Sequence, residues 1–449
     1  MFTIREIAHV IRGKLRNANP NLSVHGFTTD SRSVTPNSIF FAIKGGKHNG
    51  LDFAKEAVEK GAIAVVAPYG HGIEIPLPLI EVDDTVLAMA RLAKYKLSRV
   101  KSKIIGITGS VGKTTTKELI FSLLATKYKV FKSKKSYNNH IGLPLTILEM
   151  KEPIDYLILE YGTNHPGEIA YLTSIAKPDI AIITKIGTAH IEYFFTQENI
   201  ALEKGKIFED LKPGGTAFVN SSTPYFDIIY KRIPYTARKI TYGLTNGDVK
   251  PDFYETTPFG TTFNYKGTSF YFPLPGKGML ENAIGALAVA EHLNVPLTDI
   301  ASVLRDFRDE KMRMEKKEIK DIIFVNDAYN ANPDSMMELL ETFKDLNTRR
   351  IFILGDMLEL GDKAEEEHKK VGKKFAEMGY NILITYGSLA RLISEEAQKL
   401  GVEMVFHFET KDEIVFFLKE FLKPGDWVIL KASRGMALED VEKKLEEIL

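Results

Sequence analysis

The stretch Thr108-Gly109-Ser110-Val111-Gly112-Lys113-Thr114-Thr115 carries the residue types that hold a polyphosphate. Glycines let backbone N–H groups approach phosphate oxygens, a following helix adds its positive N-terminal end, and a lysine and a hydroxyl complete the cradle. The loop is shorter than the usual phosphate loop, with Ile107 where a glycine normally stands five residues before Gly112. A tight strand-to-helix turn is the bland alternative. The apolar run Ile104–Ile107 before it and the helix after it favour phosphate. Thr115 is the expected Mg²⁺-ligating hydroxyl. A polyphosphate site also needs a carboxylate at a neighbouring strand end. Glu160 ends the buried run Tyr156–Glu160, where either a metal or a capping role would justify it. His190 follows the next strand, Ile182-Ile183-Thr184, which places it over the same site for metal or phosphate contact. Lys204 lies on a helix whose apolar face is Ile200, Ile207 and Phe208, and spacing alone does not select it.

A second concentration of polar groups is Asn326-Asp327-Ala328-Tyr329-Asn330-Ala331-Asn332-Pro333-Asp334-Ser335. Pro333 suits the first turn of a helix with Asn332 as its cap, which leaves most of the other polar groups for a ligand. Leu354-Gly355-Asp356-Met357 and Lys431-Ala432-Ser433-Arg434 end two further strands facing the same way. Near the start, Thr28-Thr29-Asp30-Ser31-Arg32-Ser33 and Lys44-Gly45-Gly46-Lys47-His48-Asn49-Gly50 are polar loops at strand ends. An Asx-type turn explains the first alone; together they suggest a polar, nucleotide-like ligand.

The elements that must position these groups alternate between strand and helix, so the fold is α/β with three domains. Residues 1–98 form a small α/β unit, 99–308 a P-loop domain on a parallel sheet, and 309–449 a doubly wound, Rossmann-like domain. Residues 247–275 are aromatic and rich in Thr and Gly, as in antiparallel strands. The charged segment from Arg305 to Glu315 reads as a linker, and a hinge is expected between Arg305 and Arg313. No GxGxxG follows the strands of the third domain, so a dinucleotide site is not expected there. The 449 residues carry zero formal net charge, so no overall field draws nucleic acid or a membrane surface. No run of about 18 apolar residues is present, which excludes a transmembrane helix. The absence of cysteine removes disulfide and thiol chemistry. A cytoplasmic location and a monomer are expected.

With these residues in view, the chain resembles the Mur ligase family over its full length. The resemblance rests on the short phosphate loop, on Tyr137-Asn138-Asn139-His140-Ile141-Gly142-Leu143-Pro144, Glu160-Tyr161-Gly162, Gly167-Glu168-Ile169 and Thr188-Ala189-His190, and on the Asp327–Ser335 and Leu354–Gly361 segments. The last two point to the branch that adds D-alanyl-D-alanine to UDP-N-acetylmuramoyl-tripeptide in peptidoglycan precursor synthesis. The resemblance implies a UDP-binding first domain, with Asp30, Ser31, Arg32, Lys44, His48 and Asn49 near the uridine diphosphate. Asn138 and Asn139 are implied on the substrate side. It implies ATP on Gly109, Ser110, Val111, Gly112, Lys113, Thr114 and Thr115, with Asn282 at the adenine and Arg313 and Asp327 closing over the nucleotide. Two Mg²⁺ sites are implied, one at Thr115 and Glu160 and one at His190. A CO₂-derived carbamate bridging to the second metal falls on Lys204, with Lys206 as the alternative. Asn330, Asn332 and Ser335 would hold the incoming dipeptide. The chain departs from the family at Gly278, where a histidine usually stands. A P-loop switch and a folylpolyglutamate-type ligase are the competing readings.

Overall fold

The computed structural model describes residues 2–46, 48–72, 77–134, 136–151 and 153–448. Three parallel or mostly parallel sheets form in chain order. In the first, five strands lie in the order 14–16, 79–82, 62–68, 38–41, 26–28, the edge strand 14–16 running antiparallel. The helix Ile4–Ile11 buries Ile4, Ile7, Ala8 and Ile11 at the 3–4 spacing of one helix face, and Thr3 caps it by accepting from the Glu6 N–H. A short helix spans Ala54–Glu59. Gly61 follows it at φ 110°, a conformation that suits glycine.

The central sheet has six parallel strands in the order 238–242, 216–220, 180–183, 103–108, 156–160, 130–132. Its first strand, Lys103–Thr108, lies in the interior with later strands on both sides. The carboxyl end of that strand is therefore the switch point at which open α/β sheets place ligands. The strand's apolar run is buried on both faces, as parallel sheets require. The aromatic segment forms three antiparallel strands, 253–257, 260–265 and 268–272. Elements not foreseen include both edge strands of the central sheet, Val130–Lys132 and Arg238–Tyr242, and the helix Gly142–Glu149.

The third sheet runs 315–319, 322–326, 427–431, 350–355, 382–386, 404–408, with only 315–319 antiparallel. The last strand enters between the first and second parallel strands, so Asp327 and Lys431 meet at a second switch point. The expected linker is shorter than its charges suggested. Arg305 belongs to the helix Leu297–Asp306, and Glu315 opens the antiparallel strand. Among the described residues no helix is long and apolar enough to cross a membrane.

Side chains tie the three units together. The buried Lys96 amine donates to the carbonyls of Leu148 and Met150, at 2.9 and 2.5 Å, where the helix Gly142–Glu149 ends. On the other side, Asp334 accepts from the Thr188 N–H at 2.9 Å, and Glu338 accepts from the Gly278 N–H at 2.5 Å.

Gly106 sits in the middle of the innermost strand with no room for a side chain. A Cβ there would lie 2.9 Å from Tyr161 and 3.2 Å from both Ile207 and Pro178. Overpacking of this kind costs about 1–3 kcal/mol. Gly106→Val is expected to lower the thermal midpoint in differential scanning calorimetry, and an unchanged midpoint would contradict this packing.

Candidate active site

The phosphate loop is built as its sequence demands. Gly109 and Gly112 adopt φ 155° and 85°, and Gly112 opens the helix Lys113–Leu124. A Cβ on Gly112 would overlap the Asn282 amide, so the expected adenine-side residue packs directly on the loop. Lys113 folds back to donate to the Gly109 carbonyl at 2.7 Å. Burial holds its amine below the ordinary lysine range; Glu160 opposes that shift and Arg313 adds to it.

Glu160 is buried at its strand end and is met by neutral donors. Its two oxygens accept from Thr114 Oγ1 at 3.0 Å and from Asn138 Nδ2 at 2.9 Å. The Lys117 amine lies 3.9 Å away, shared with Glu118 and Glu310. This geometry corrects the expectation for Thr115. Adjacent helical residues point about 100° apart, and it is Thr114 that faces Glu160. Thr115 instead donates to Asp309 Oδ2 at 2.5 Å. Asp309 comes from the supposed linker, 194 positions away in the chain. Burial pushes its carboxyl up to about 6, against the opposing pull of Arg313 and the Thr115 hydrogen bond.

His190 lies at the third strand end in a left-handed conformation, φ 62°, with its Nδ1 2.6 Å from Glu359 Oε2. That contact holds the Glu359 carboxyl below its usual range. Lys204 is 1% exposed, and no carboxylate pairs with it within ion-pair distance among the described residues. Burial, together with the charge of Lys113, drives its amine well below the ordinary range; Glu203 and Glu160 oppose this. Lys206 points outward and pairs with Glu209 at 2.9 Å. The two lysines left open by the sequence thus have opposite environments.

From the third domain, Arg313 lies over the Tyr329 ring, 4.1 Å from its centroid, and the Tyr329 hydroxyl meets Ser136 at 2.5 Å. Asp327 pairs with the buried Lys431 and accepts from the Met314 N–H at 3.1 Å. Asn332 and Ser335 bond each other in a reciprocal cap of the helix Pro333–Thr342, at 2.9 and 3.1 Å. Asn332 Oδ1 and the Ser335 hydroxyl are engaged in that cap, and both residues line the cavity together with Asn330.

The structure gathers most of the expected residues around one cavity of about 260 Å³. Ser110, Val111, Gly112, Lys113, Thr114, Thr115, Asn138, Glu160, His190, Asn282, Arg313, Asp327, Asn330, Asn332 and Ser335 all line it. It adjoins a larger cleft of about 1220 Å³ that shares Lys185, Gly278, Glu281 and Glu338 with it. Gly278 is explained here. A Cβ would overlap the Glu338 carboxylate, so a histidine at this position would displace Glu338.

The first-domain residues are not brought into that cavity. Asp30 lines a separate cleft of about 1170 Å³ between the first and central units, together with Lys96, Arg99 and Lys134. Ser31 donates to Glu56 at 2.9 Å, Arg32 pairs with Asp30 at 2.7 Å, and Asn49 accepts from the Leu51 N–H at 3.2 Å. Lys44 bridges to Asn49, and the His48 ring packs edge-on to Phe53. Thr28, Thr29 and Ser33 line the cleft with Asp30, whereas Ser31, Arg32, Lys44, His48 and Asn49 do not; Lys47 lies outside the described residues. Asn139 caps the helix Gly142–Glu149, accepting from Gly142 N–H at 2.8 Å, and faces a third cleft beside Asp84 and Tyr171.

Sequence reasoning missed Asp309, Lys117 and Glu338. Each is an ordinary charged residue in a helix or charged loop, and its partner is remote or buried only in the folded chain.

A phosphate loop at one switch point, covered by the strand ends of a third α/β unit, makes a nucleotide-type site shared between two units. Family models described as Mur ligase family, catalytic domain, Mur ligase middle domain, and Mur ligase, glutamate ligase domain match residues 23–97, 107–290 and 312–434. The chain is 35% identical to the UDP-N-acetylmuramoyl-tripeptide–D-alanyl-D-alanine ligase of Bacillus subtilis (strain 168), across 99% of this chain and 98% of that protein. It belongs to the Mur ligase family. Among solved structures, MurF from Acinetobacter baumannii superposes with a TM-score of 0.90 at 28% identity, covering 99% of both chains. MurF from Thermotoga maritima in complex with ADP gives a TM-score of 0.82 at 28% identity, covering 94% of this chain and 97% of that one.

Two outcomes follow from the loop geometry. Thr114→Val should reduce kcat/KM about 10²-fold or more in steady-state assays, and Thr115→Val should cost less; the reverse order would restore the original assignment. For Asp309, the folded carboxyl titrates near 6, above its ordinary 3.8. The folded state therefore binds the extra proton between those values, and stability falls as pH rises from about 4 to 7. Relative to Asp309→Asn, ligand-free wild type should lose on the order of 2–3 kcal/mol over that range in denaturant titrations. A parallel pH profile for the two proteins would contradict this.

Proposed function

We propose that this chain is the ATP-dependent ligase that joins D-alanyl-D-alanine to the terminal carboxylate of UDP-N-acetylmuramoyl-tripeptide, acting in the cytoplasm. The observation that carries it is the composite cavity, in which the phosphate loop is walled by Asp327, Tyr329 and Asn330 of the third unit. A nucleotide held by the central unit would thereby meet an acceptor delivered by another. The full-length likeness to relatives bearing that activity in their names supports the choice of substrates.

A carboxylate resists attack by an amine, so it must first be activated. The γ-phosphoryl group passes from ATP to the tripeptide carboxylate, giving an acyl phosphate and ADP. The dipeptide amine then attacks the carbonyl carbon, the C–O bond to phosphate breaks so that inorganic phosphate leaves with that oxygen, and the amine gives up a proton. Lys113 and the helix N-terminus stabilise the charge on the transferring group. Arg313, stacked on Tyr329, adds a second cation from the opposite wall. Closure of the third unit excludes water, which would otherwise hydrolyse the acyl phosphate. The cleft beside Asp30, with Lys96, Arg99 and Lys134, offers cations for the uridine diphosphate end.

The residues fit a magnesium-dependent site. No group of three or more His, Cys, Asp or Glu side chains that could hold a metal occurs among the described residues. Magnesium at ATP sites is held by one or two protein ligands, with phosphate and water filling the rest. Glu160 and Thr114 would hold one ion and His190 a second. Bound Mg²⁺ would neutralise the phosphate oxygens and orient the γ-phosphoryl group. Lys204 is the candidate for carbamylation, because its buried amine is held well below the ordinary range and a neutral amine is the form that takes up CO₂. Lys206, exposed and paired, lacks that property.

Phosphate release measured with each component omitted tests the proposal. Release is expected only with ATP, the UDP-tripeptide and D-alanyl-D-alanine all present; release from ATP alone would indicate a nucleotide switch instead. Lys204→Ala should lower ligation at least about 10²-fold while Lys206→Ala stays near wild type. Full activity of Lys204→Ala would end its assignment.

A further inference from the structure

The segment Leu354–Gly361 is distinctive in sequence, yet the mechanism above gives it no task. In the structure its residues Leu358, Glu359 and Leu360 line a small cavity of about 250 Å³. Ala189, His190 and the Tyr329–Asn332 turn also line it, with Ser433, Arg434 and Gly435. His190, Tyr329, Asn330 and Asn332 also line the nucleotide cavity, so the two spaces adjoin.

The small cavity carries one charge of each sign beside apolar surface. Glu359 stands at the His190 side, 2.6 Å from Nδ1. Both residues hold left-handed backbone, φ 61° and 62°, a conformation that side-chain-bearing residues keep only where surrounding structure enforces it. Gly361, at φ 54°, lets that loop press on the helix Ile191–Phe194, where a Cβ would come within 3.0 Å of Glu192. Arg434 is fixed from one side by the buried Glu439, at 2.6 Å. A guanidinium has five N–H donors, so this pairing leaves others for a guest. Leu358 and Leu360 complete the apolar part.

We propose that this cavity recognises both ends of the acceptor dipeptide, with Arg434 taking its terminal carboxylate and Glu359 its ammonium group. The proposal rests on the function above and deepens it. A zwitterion with two methyl groups needs a cation, an anion and apolar contact, and the lining of this cavity supplies all three. The anionic end abuts His190, which faces the nucleotide cavity, so the amine would point toward the acyl phosphate. Asn332 Oδ1 and the Ser335 hydroxyl are engaged in their cap, while Asn330 lines this cavity beside the two charged groups.

The test measures KM for D-alanyl-D-alanine and for its C-terminal amide in wild type, Arg434→Gln, Arg434→Lys and Glu359→Gln. In wild type the amide should have a KM about 10–100-fold higher, the worth of a charge-assisted pair. Arg434→Gln should raise KM for the free acid by a similar factor, leave KM for ATP within about twofold, and make acid and amide alike. Arg434→Lys should keep part of the preference, and it decides the matter if Arg434→Gln does not fold. Glu359→Gln should raise KM for the dipeptide about tenfold, well beyond any change in KM for ATP. An acid preference that survives in both Arg434 variants, or a dipeptide KM unmoved by Glu359→Gln, would overturn the proposal. Wild type that ligates no D-alanyl-D-alanine would instead overturn the function itself.

Discussion

The site depends on how three lysine amines are held inside one fold. Lys113, Lys117 and Lys204 converge on the carboxyl end of the innermost strand, and a buried ammonium is costly unless it is paired or neutral. Lys117 is satisfied by Glu118, Glu160 and Glu310. Lys113 has only the Gly109 carbonyl, and Lys204 has no ion pair among the described residues. Both unpaired amines are pushed below their ordinary range. A polyphosphate supplies the missing counter-charge for the first. For the second, conversion to a carbamate would replace a suppressed cation with an anion. Glu160 accepts from two neutral donors, Thr114 and Asn138, and the Lys117 amine at 3.9 Å is shared with Glu118 and Glu310.

That arrangement also explains why the third unit matters. The supposed linker does not pass by at a distance: Asp309 bonds the Thr115 hydroxyl, and Glu310 reaches Lys117. Beyond them, Met312 and Met314 hold left-handed backbone on either side of Arg313, which lies over Tyr329. The chain is therefore anchored on the phosphate-loop helix just before it delivers the cation that faces the nucleotide. Asp334 and Glu338 add interdomain hydrogen bonds to Thr188 and Gly278 on the far side of the cavity. An active site assembled from two units makes chemistry conditional on their contact, which suits an intermediate that water would destroy.

Much of this was legible in the sequence, for physical reasons. Parallel strands buried on both faces read as unbroken apolar runs, so the alternating elements and the ends that carry Glu160, His190 and Asp327 could be located. Gly109 and Gly112 signalled a backbone that few other residues adopt. What sequence could not resolve was direction and distance. Thr114 and Thr115 are adjacent in the chain, yet one faces Glu160 and the other Asp309, a difference set by helix phase and packing. Asp309 looked like part of a solvated charged loop because its partner is far away in sequence. Lys204 and Lys206 could be ranked only by family pattern, whereas burial separates them at once. Asn332 and Ser335 illustrate the converse. Their capping signature was visible, and in the fold that local bond is what their side chains make.

The central claim is that the γ-phosphoryl group is delivered to a carboxylate and not to water. The direct measurement uses UDP-N-acetylmuramoyl-tripeptide carrying ¹⁸O in its terminal carboxylate, with ATP and D-alanyl-D-alanine in ordinary water. Mass spectrometry of the released phosphate should find one ¹⁸O atom per turnover, because the acyl phosphate breaks at its C–O bond when the amine attacks. Phosphate free of ¹⁸O, formed while product accumulates, would contradict the account.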